Sequence, residues 1–188
     1  MINVTKYLLL SLLALVAFAS CSESEEVSDW ADWAGKNQAY IDSIAVEAAT
    51  NPSERWVKVL ATGLDPEQEW GNEYYAYCKV HASGTGTESP KFNDAIWLNY
   101  SGRLIDKTIF DATYSGDLVP EYETPVQLNL ADCVLGFASV VQEMVKGDIW
   151  EVFIPSGLGY GNEDYTIIKP SSVLIFTINL VDFERVGE

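Results

Sequence analysis

From residue 72 to residue 180 the hydrophobic residues recur mostly with a period of two, and this constrains the fold more than any other feature. Successive side chains leave a strand on opposite faces, so alternation commits a segment to a half-buried strand. Tyr75–Val80, Ala95–Tyr100, Ile149–Ile154 and Val173–Leu180 read this way. Arg103–Ile105 and Thr108–Phe110 flank Asp106-Lys107, which predicts a hairpin-like return. One stretch breaks the period. Between Gly136 and Lys146, residues Phe137, Val140, Val141, Met144 and Val145 fall at helical spacing, and Gly147 is placed to end that helix. One short helix among five or so strands, with mostly short connections, predicts an α+β fold: an antiparallel twisted sheet wrapped around the helix.

Ahead of residue 72 the pattern is helical. Ser28 offers a capping hydroxyl and Asp29 an acid for the first turn. Trp30, Trp33, Ile41, Ile44 and Ala48 fall near one face, interrupted by Asn37 and Tyr40, and Asn51-Pro52 stops the run. This stripe is expected to pack on the domain that follows; the alternative is self-association, a homodimer through the N-terminal helix. A second short helix is expected over residues 53–60, through Trp56, Val57 and Leu60. The polar, turn-rich stretch from Gly63 to Gly71 marks the expected boundary. The organisation predicted is a targeting segment at 1–20, a tether with a helical segment at 21–70, and the folded domain at 71–188.

The first twenty residues carry one charge, Lys6, and then an apolar run from Tyr7 to Ala19. That run is about 13 residues, short of the ~20 that span a bilayer as a helix, and it fits the core of a secretory signal. Its end, Phe18-Ala19-Ser20-Cys21, resembles a bacterial lipobox, with Phe in place of the usual Leu. The resemblance implies that Cys21 is lipidated and holds the protein to a membrane. The acidic run Ser22–Glu26 reads as a solvated tether. It also resembles the surface-export signals of Bacteroidetes lipoproteins, which implies the outer membrane, on its periplasmic or its surface face.

Charge and composition exclude several classes of function. Asp plus Glu number 28 against 11 Lys plus Arg, a formal net charge of −17, so nucleic acid is not an expected partner. A single histidine, His81, leaves no His-based metal site, and three cysteines without a CxxC pair leave no zinc ribbon. No metal and no cofactor are expected. Cys78 and Cys133 read as reduced, largely buried thiols. Aromatic residues reach 12%, which predicts an aromatic-lined surface or groove.

The pieces of the period-two region come in an order that resembles the FKBP-type peptidyl-prolyl cis-trans isomerases. They are Tyr100-Ser-Gly102, Phe110-Asp111, Cys133-Val-Leu-Gly-Phe137, Met144-Val-Lys-Gly147 before Ile154-Pro155, Leu158-Gly-Tyr-Gly161, and Ile167-Ile-Lys-Pro170 before Leu174-Ile-Phe176. The resemblance spans about residues 73–184. It implies isomerisation of X-Pro bonds, Pro-containing polypeptides as partners, and binding of macrolides such as tacrolimus. It implies a proline pocket formed by Tyr100, Phe110, Val134, Phe137, Tyr160, Ile167, Ile168 and Phe176. Phe137 would be its floor. Tyr160 would offer its hydroxyl to a substrate carbonyl, Ile168 its backbone N–H to the peptide, and Asp111 would sit beside Tyr100. Four positions depart from the family: Val126 where an aromatic wall is common, Cys133 for a branched aliphatic, Phe137 for Trp, and Lys169 for Pro. The loop from Ala112 to Thr124 is long and contributes Tyr114, Asp117, Glu121, Tyr122 and Glu123 as an expected acidic, aromatic rim. These departures leave an alternative: a weakly active or inactive module that holds Pro-containing segments or a partner protein.

Overall fold

The computed structural model describes residues 24–51, 53–118 and 120–187, with side chains from residue 32 onward. The targeting segment, Cys21 and the side chain of Trp30 lie outside the described residues. The chain divides into two compact units, residues 1–32 and Trp33–Glu188. The second unit carries everything described below, and the boundary expected near residue 71 falls inside it.

The described residues form one antiparallel sheet of seven strands: β1 (Trp56–Leu60), β2 (Tyr75–Ala82), β3 (Ala95–Arg103), β4 (Ile109–Ala112), β5 (Val126–Asn129), β6 (Ile149–Ile154) and β7 (Leu174–Glu184). The order across the sheet is β1-β2-β6-β7-β3-β4, and β5 pairs with the first half of β3. The strands read from alternation are all present. The hairpin return also forms, with Leu104 N–H donating to Thr108 O at 2.9 Å and Lys107 at φ 71° in the turn.

Residues 56–60 are a strand and not the second short helix expected there. Val57 and Val59 point into the main core while Trp56 joins the cluster on the other face, a period of two that Val-x-Val favours. Pairing with β2, from Trp56 opposite Lys79 to Leu60 opposite Tyr75, decides the conformation.

Alternation gives the sheet two apolar faces. Ala76, Cys78, Val152, Leu174 and Phe176 face one way, and Tyr77, Phe153 and Ile175 the other. Helix α2 (Leu135–Val141) covers the first face, with every residue from Gly136 to Val141 buried. It stops well before Gly147. The Asp148 carboxylate accepts from Val145 N–H at 2.8 Å and Gly84 N–H at 2.7 Å, drawing the chain out of the helix into turns. Gly147, at φ 92°, serves the entry to β6 instead.

Helix α1 spans Ser24–Thr50, and its part within the second unit covers the second face. Ile41, Ile44 and Ala45 are buried against Tyr77, Phe153 and Ile175, and the expected packing of the stripe on the following domain is thereby met from Trp33 onward. Asn37 and Tyr40, which interrupt the stripe in the sequence, belong to it. Asn37 is 1% exposed and hydrogen-bonded at both ends of its amide, and Tyr40 packs on Phe153 at 6.3 Å between ring centroids.

Candidate active site

The cavity opens where β3, β4, β5, the N-terminal end of α2 and the segment 160–168 meet. Its volume is about 660 Å³. Four rings form its inner wall. Phe176 on β7 stands edge-on to Phe137 of α2 at 5.1 Å and to Phe110 of β4 at 5.4 Å. Tyr100 of β3 lies 6.3 Å from both Phe137 and Phe176. Phe137 is 3% exposed and lines the cavity. Gly102 makes the cluster possible, because a Cβ there would lie 2.5 Å from the Phe110 ring and 2.8 Å from the Phe176 ring.

The polar groups are few. The Tyr100 hydroxyl donates to Asp111 Oδ2, so Asp111 does stand beside Tyr100. Burial pushes the Tyr100 hydroxyl well above its ordinary range, and the Asp111 carboxylate pushes it further. Both effects keep that proton in place. The Tyr160 hydroxyl is also raised, by burial first and then by Tyr165 and Asp111. It makes no hydrogen bond among the described residues, which leaves it free to donate to a ligand. Cys133 is half-buried on the wall, and burial with Asp132 pushes its thiol up to about 11. Cys78 is buried and Cys133 partly so; both are free thiols.

Tyr100, Asp111, Tyr160, Phe110, Cys133, Val134, Phe137, Ile167, Ile168 and Phe176 all line this cavity. Three expectations for the site fail. Val126 is not in the lining; it packs into the core, and Gln127, Leu128 and Asn129 of the same strand reach the cavity instead. The Ile168 N–H, expected to meet the peptide, donates to Tyr165 O at 2.8 Å, while Tyr165 N–H donates to Ile168 O at 3.1 Å. Thr166, at φ 55°, turns this two-residue hairpin, and the donor is satisfied inside it. Among the described residues the acidic loop contributes none to the lining, and the carboxylates at the cavity are those of Asp111 and Asp132.

The sequence reading missed two features. Tyr165 stacks on Tyr160 with centroids 4.5 Å apart and planes within 10°, extending the aromatic wall to the rim. The Val134 N–H, at the start of α2, has no acceptor among the described residues, and Val134 lines the cavity. The signal was the usual deficit of partners at a helix N-terminus. Among the described residues no group of three or more His, Cys, Asp or Glu could hold a metal ion.

An antiparallel sheet folded on a short helix, with a cavity between them walled mainly by aromatic rings, is the fold and site of this protein's class. The FKBP-type peptidyl-prolyl cis-trans isomerase family model matches residues 86–181, half of the chain, and the chain belongs to that family. It is 33% identical to the peptidyl-prolyl cis-trans isomerase Mip of Coxiella burnetii over 136 residues, 72% of this chain and 51% of that protein. It is 30% identical to the outer membrane protein MIP of Legionella longbeachae over 138 residues, 73% of this chain and 51% of the other. The chain thus spans about half the length of these curated relatives. Among solved structures, a peptidyl-prolyl cis-trans isomerase from Pseudomonas syringae pv. tomato matches with a TM-score of 0.55 at 25% identity, covering 79% of this chain and 96% of that one.

Proposed function

We propose that the protein is a peptidyl-prolyl cis-trans isomerase that acts on X-Pro bonds of exported or surface polypeptides and assists their folding. The observation that carries this reading is the four-ring cavity with the unpaired Tyr160 hydroxyl and Val134 N–H at its mouth.

The chemistry needs no more than these groups. Amide resonance sets a rotation barrier of ~18–20 kcal/mol, and X-Pro bonds exchange over tens of seconds or longer. Twisting the bond breaks the resonance, so the amide becomes less charge-separated. Water favours the planar, more polar form, and an apolar cavity removes that preference. Each ~1.4 kcal/mol taken from the barrier is tenfold in rate. Phe110, Phe137 and Phe176 hold the proline ring away from water. Tyr160 and Val134 donate to the carbonyls on either side and fix the peptide while the bond turns. The gain comes from binding the twisted conformer more tightly than the planar one.

Tyr160→Phe and Asp111→Leu test this reading. Losing the Tyr160 hydroxyl should weaken peptide binding by about 0.5–1.5 kcal/mol, the net worth of a neutral hydrogen bond. Asp111 is exposed, so Asp111→Leu should cost activity and little stability; it frees the Tyr100 hydroxyl and changes the polarity of the wall. An isomer-specific peptide assay and tacrolimus binding give two readouts. If both folded variants match wild type in both, the site assignment fails and only the fold assignment survives.

The same proposal includes an envelope location, supported by the relative named as an outer membrane protein, and membrane attachment through a lipid on Cys21. Cys21→Ala should move the protein from the membrane fraction to the soluble one; unchanged partitioning would exclude the lipid as anchor. Pairing of two copies through the N-terminal helix would need a surface other than Ile41, Ile44 and Ala45, which the protein's own sheet covers.

A further inference from the structure

We infer that Trp33 and Asn37 of α1 are positioning residues of the isomerase site: they hold residues 169–173 and, through them, the Ile167–Ile168 wall of the cavity. The inference rests on the isomerase reading and goes beyond it, because it makes a helix outside the family match part of the site's framework.

Two hydrogen-bonded ties connect the helix to the wall. The Trp33 indole N–H donates to Ser172 Oγ at 3.1 Å, and the Ser172 hydroxyl donates to Lys169 O at 2.6 Å. The carbonyl reached in this way belongs to the residue directly after Ile168. Asn37 Oδ1 accepts from Val173 N–H at 2.8 Å, and Asn37 Nδ2 donates to Trp33 O at 2.8 Å, which fixes the orientation of the amide. All four residues are buried: Trp33 at 8% exposure, Asn37 at 1%, Ser172 at 3% and Val173 at 2%. The ladder between β6 and β7 starts at Leu174, so Val173 N–H has no strand partner and depends on the Asn37 side chain. A buried backbone N–H left alone costs free energy comparable to a lost hydrogen bond.

The wall needs such support because of its backbone. Thr166 at φ 55° and Ser171 at φ 62° bracket it, and both are non-glycine residues in the left-handed region. Conformations of this kind persist only where the surroundings over-determine them. Within the domain, Ser171 N–H donates to Gly161 O at 2.8 Å and Ser171 Oγ to Asn162 Oδ1 at 2.9 Å. These bonds tie the wall to the Tyr160 loop, which is itself a wall of the cavity. The contacts from α1 supply the second attachment. Lys169 Nζ over the Trp33 ring, 5.0 Å from its centroid, adds to it. Asparagine is suited to its place because a single side chain must accept from Val173 and donate to the Trp33 carbonyl.

The experiment uses the full chain with Asn37→Leu, Trp33→Phe and Ile44→Ala. The first two remove hydrogen bonds and keep much of the packing volume. Ile44→Ala removes packing on the same helix and has no hydrogen bond to residues 169–173. Thermal unfolding, steady-state kinetics on a short X-Pro peptide, and amide exchange at Ile168 and Val173 are measured well below each variant's transition. Asn37→Leu and Trp33→Phe should lower kcat/KM roughly three- to tenfold, as misplacement of a positioning group does, with faster exchange at both amides. Ile44→Ala should lower the thermal midpoint and leave kcat/KM near wild type. An active wild type with unchanged kcat/KM in Asn37→Leu and Trp33→Phe would overturn this inference alone. An inactive wild type would overturn the isomerase reading and this inference with it. If Asn37→Leu does not fold, Trp33→Phe decides.

Discussion

Phe176→Ala should destabilise the protein by about 3–5 kcal/mol, the usual cost of removing a buried phenyl ring. Phe176 is 6% exposed and touches the other three rings of the cluster, so no single neighbour can move in to close the gap. It also sits on β7, between β6 and β3, where Val152 and Gly102 are its cross-strand partners. Both the core and the cavity wall therefore lose their common member. Denaturant unfolding gives the test: a lower midpoint with an unchanged slope is expected, together with loss of isomerase activity in the fraction that stays folded. A cost below about 1 kcal/mol would mean that the ring is replaceable and that the cluster does not act as one unit.

Gly102→Ala should have the next largest effect, from one added methyl group. The new Cβ would fall 2.5 and 2.6 Å from two atoms of the Phe110 ring and 2.8 Å from the Phe176 ring. Rings held edge-on in a packed wall do not shift freely, and overpacking of this sort costs about 1–3 kcal/mol. The displacement is directed into the cavity, so activity should fall more than stability does. Gly157→Ala is the control, since a Cβ there meets nothing within 4 Å and its φ needs no glycine. If Gly102→Ala keeps wild-type kcat/KM while folded, the rings are looser than the structure has them and the cavity is not pre-formed.

The sheet was legible in the sequence because its strands alternate over long enough runs to show their period. β1 was not. Trp56–Leu60 is too short to separate two from 3.6, and what makes it a strand is β2, nearly twenty residues away. Asn37 looked like a defect in an apolar stripe because its partner, Val173 N–H, lies 136 residues further on. The cavity residues came from the order of the family's motifs, which carries chemistry that periodicity alone does not. That order failed where local backbone decides. A left-handed Thr166 closes the hairpin that takes the Ile168 N–H, and no side-chain pattern announces it. On β5 the motif pointed to Val126, which packs against the core beside Leu128, whereas Gln127, Leu128 and Asn129 are the residues that reach the cavity.

The place of β7 in the sheet has a consequence for how the molecule comes into being. It is the last strand to be synthesised, yet it lies between β6 and β3 and joins them. Until residues 174–184 emerge, the chain can make only two separate pieces: β1, β2 and β6 on one side, and β3, β4 and β5 on the other. Each piece then presents a bare strand edge, at β6 and at β3, of the kind that invites pairing with other chains. Neither face can be sealed, because α1 packs with Ile175 and α2 rests on a core completed by Leu174, Phe176 and Ile178. Non-local closure of this kind is slow. A nascent or truncated chain ending before Leu174 therefore cannot fold ahead of time, however complete its N-terminal helix, and is itself the sort of open-edged client that folding helpers exist to shield.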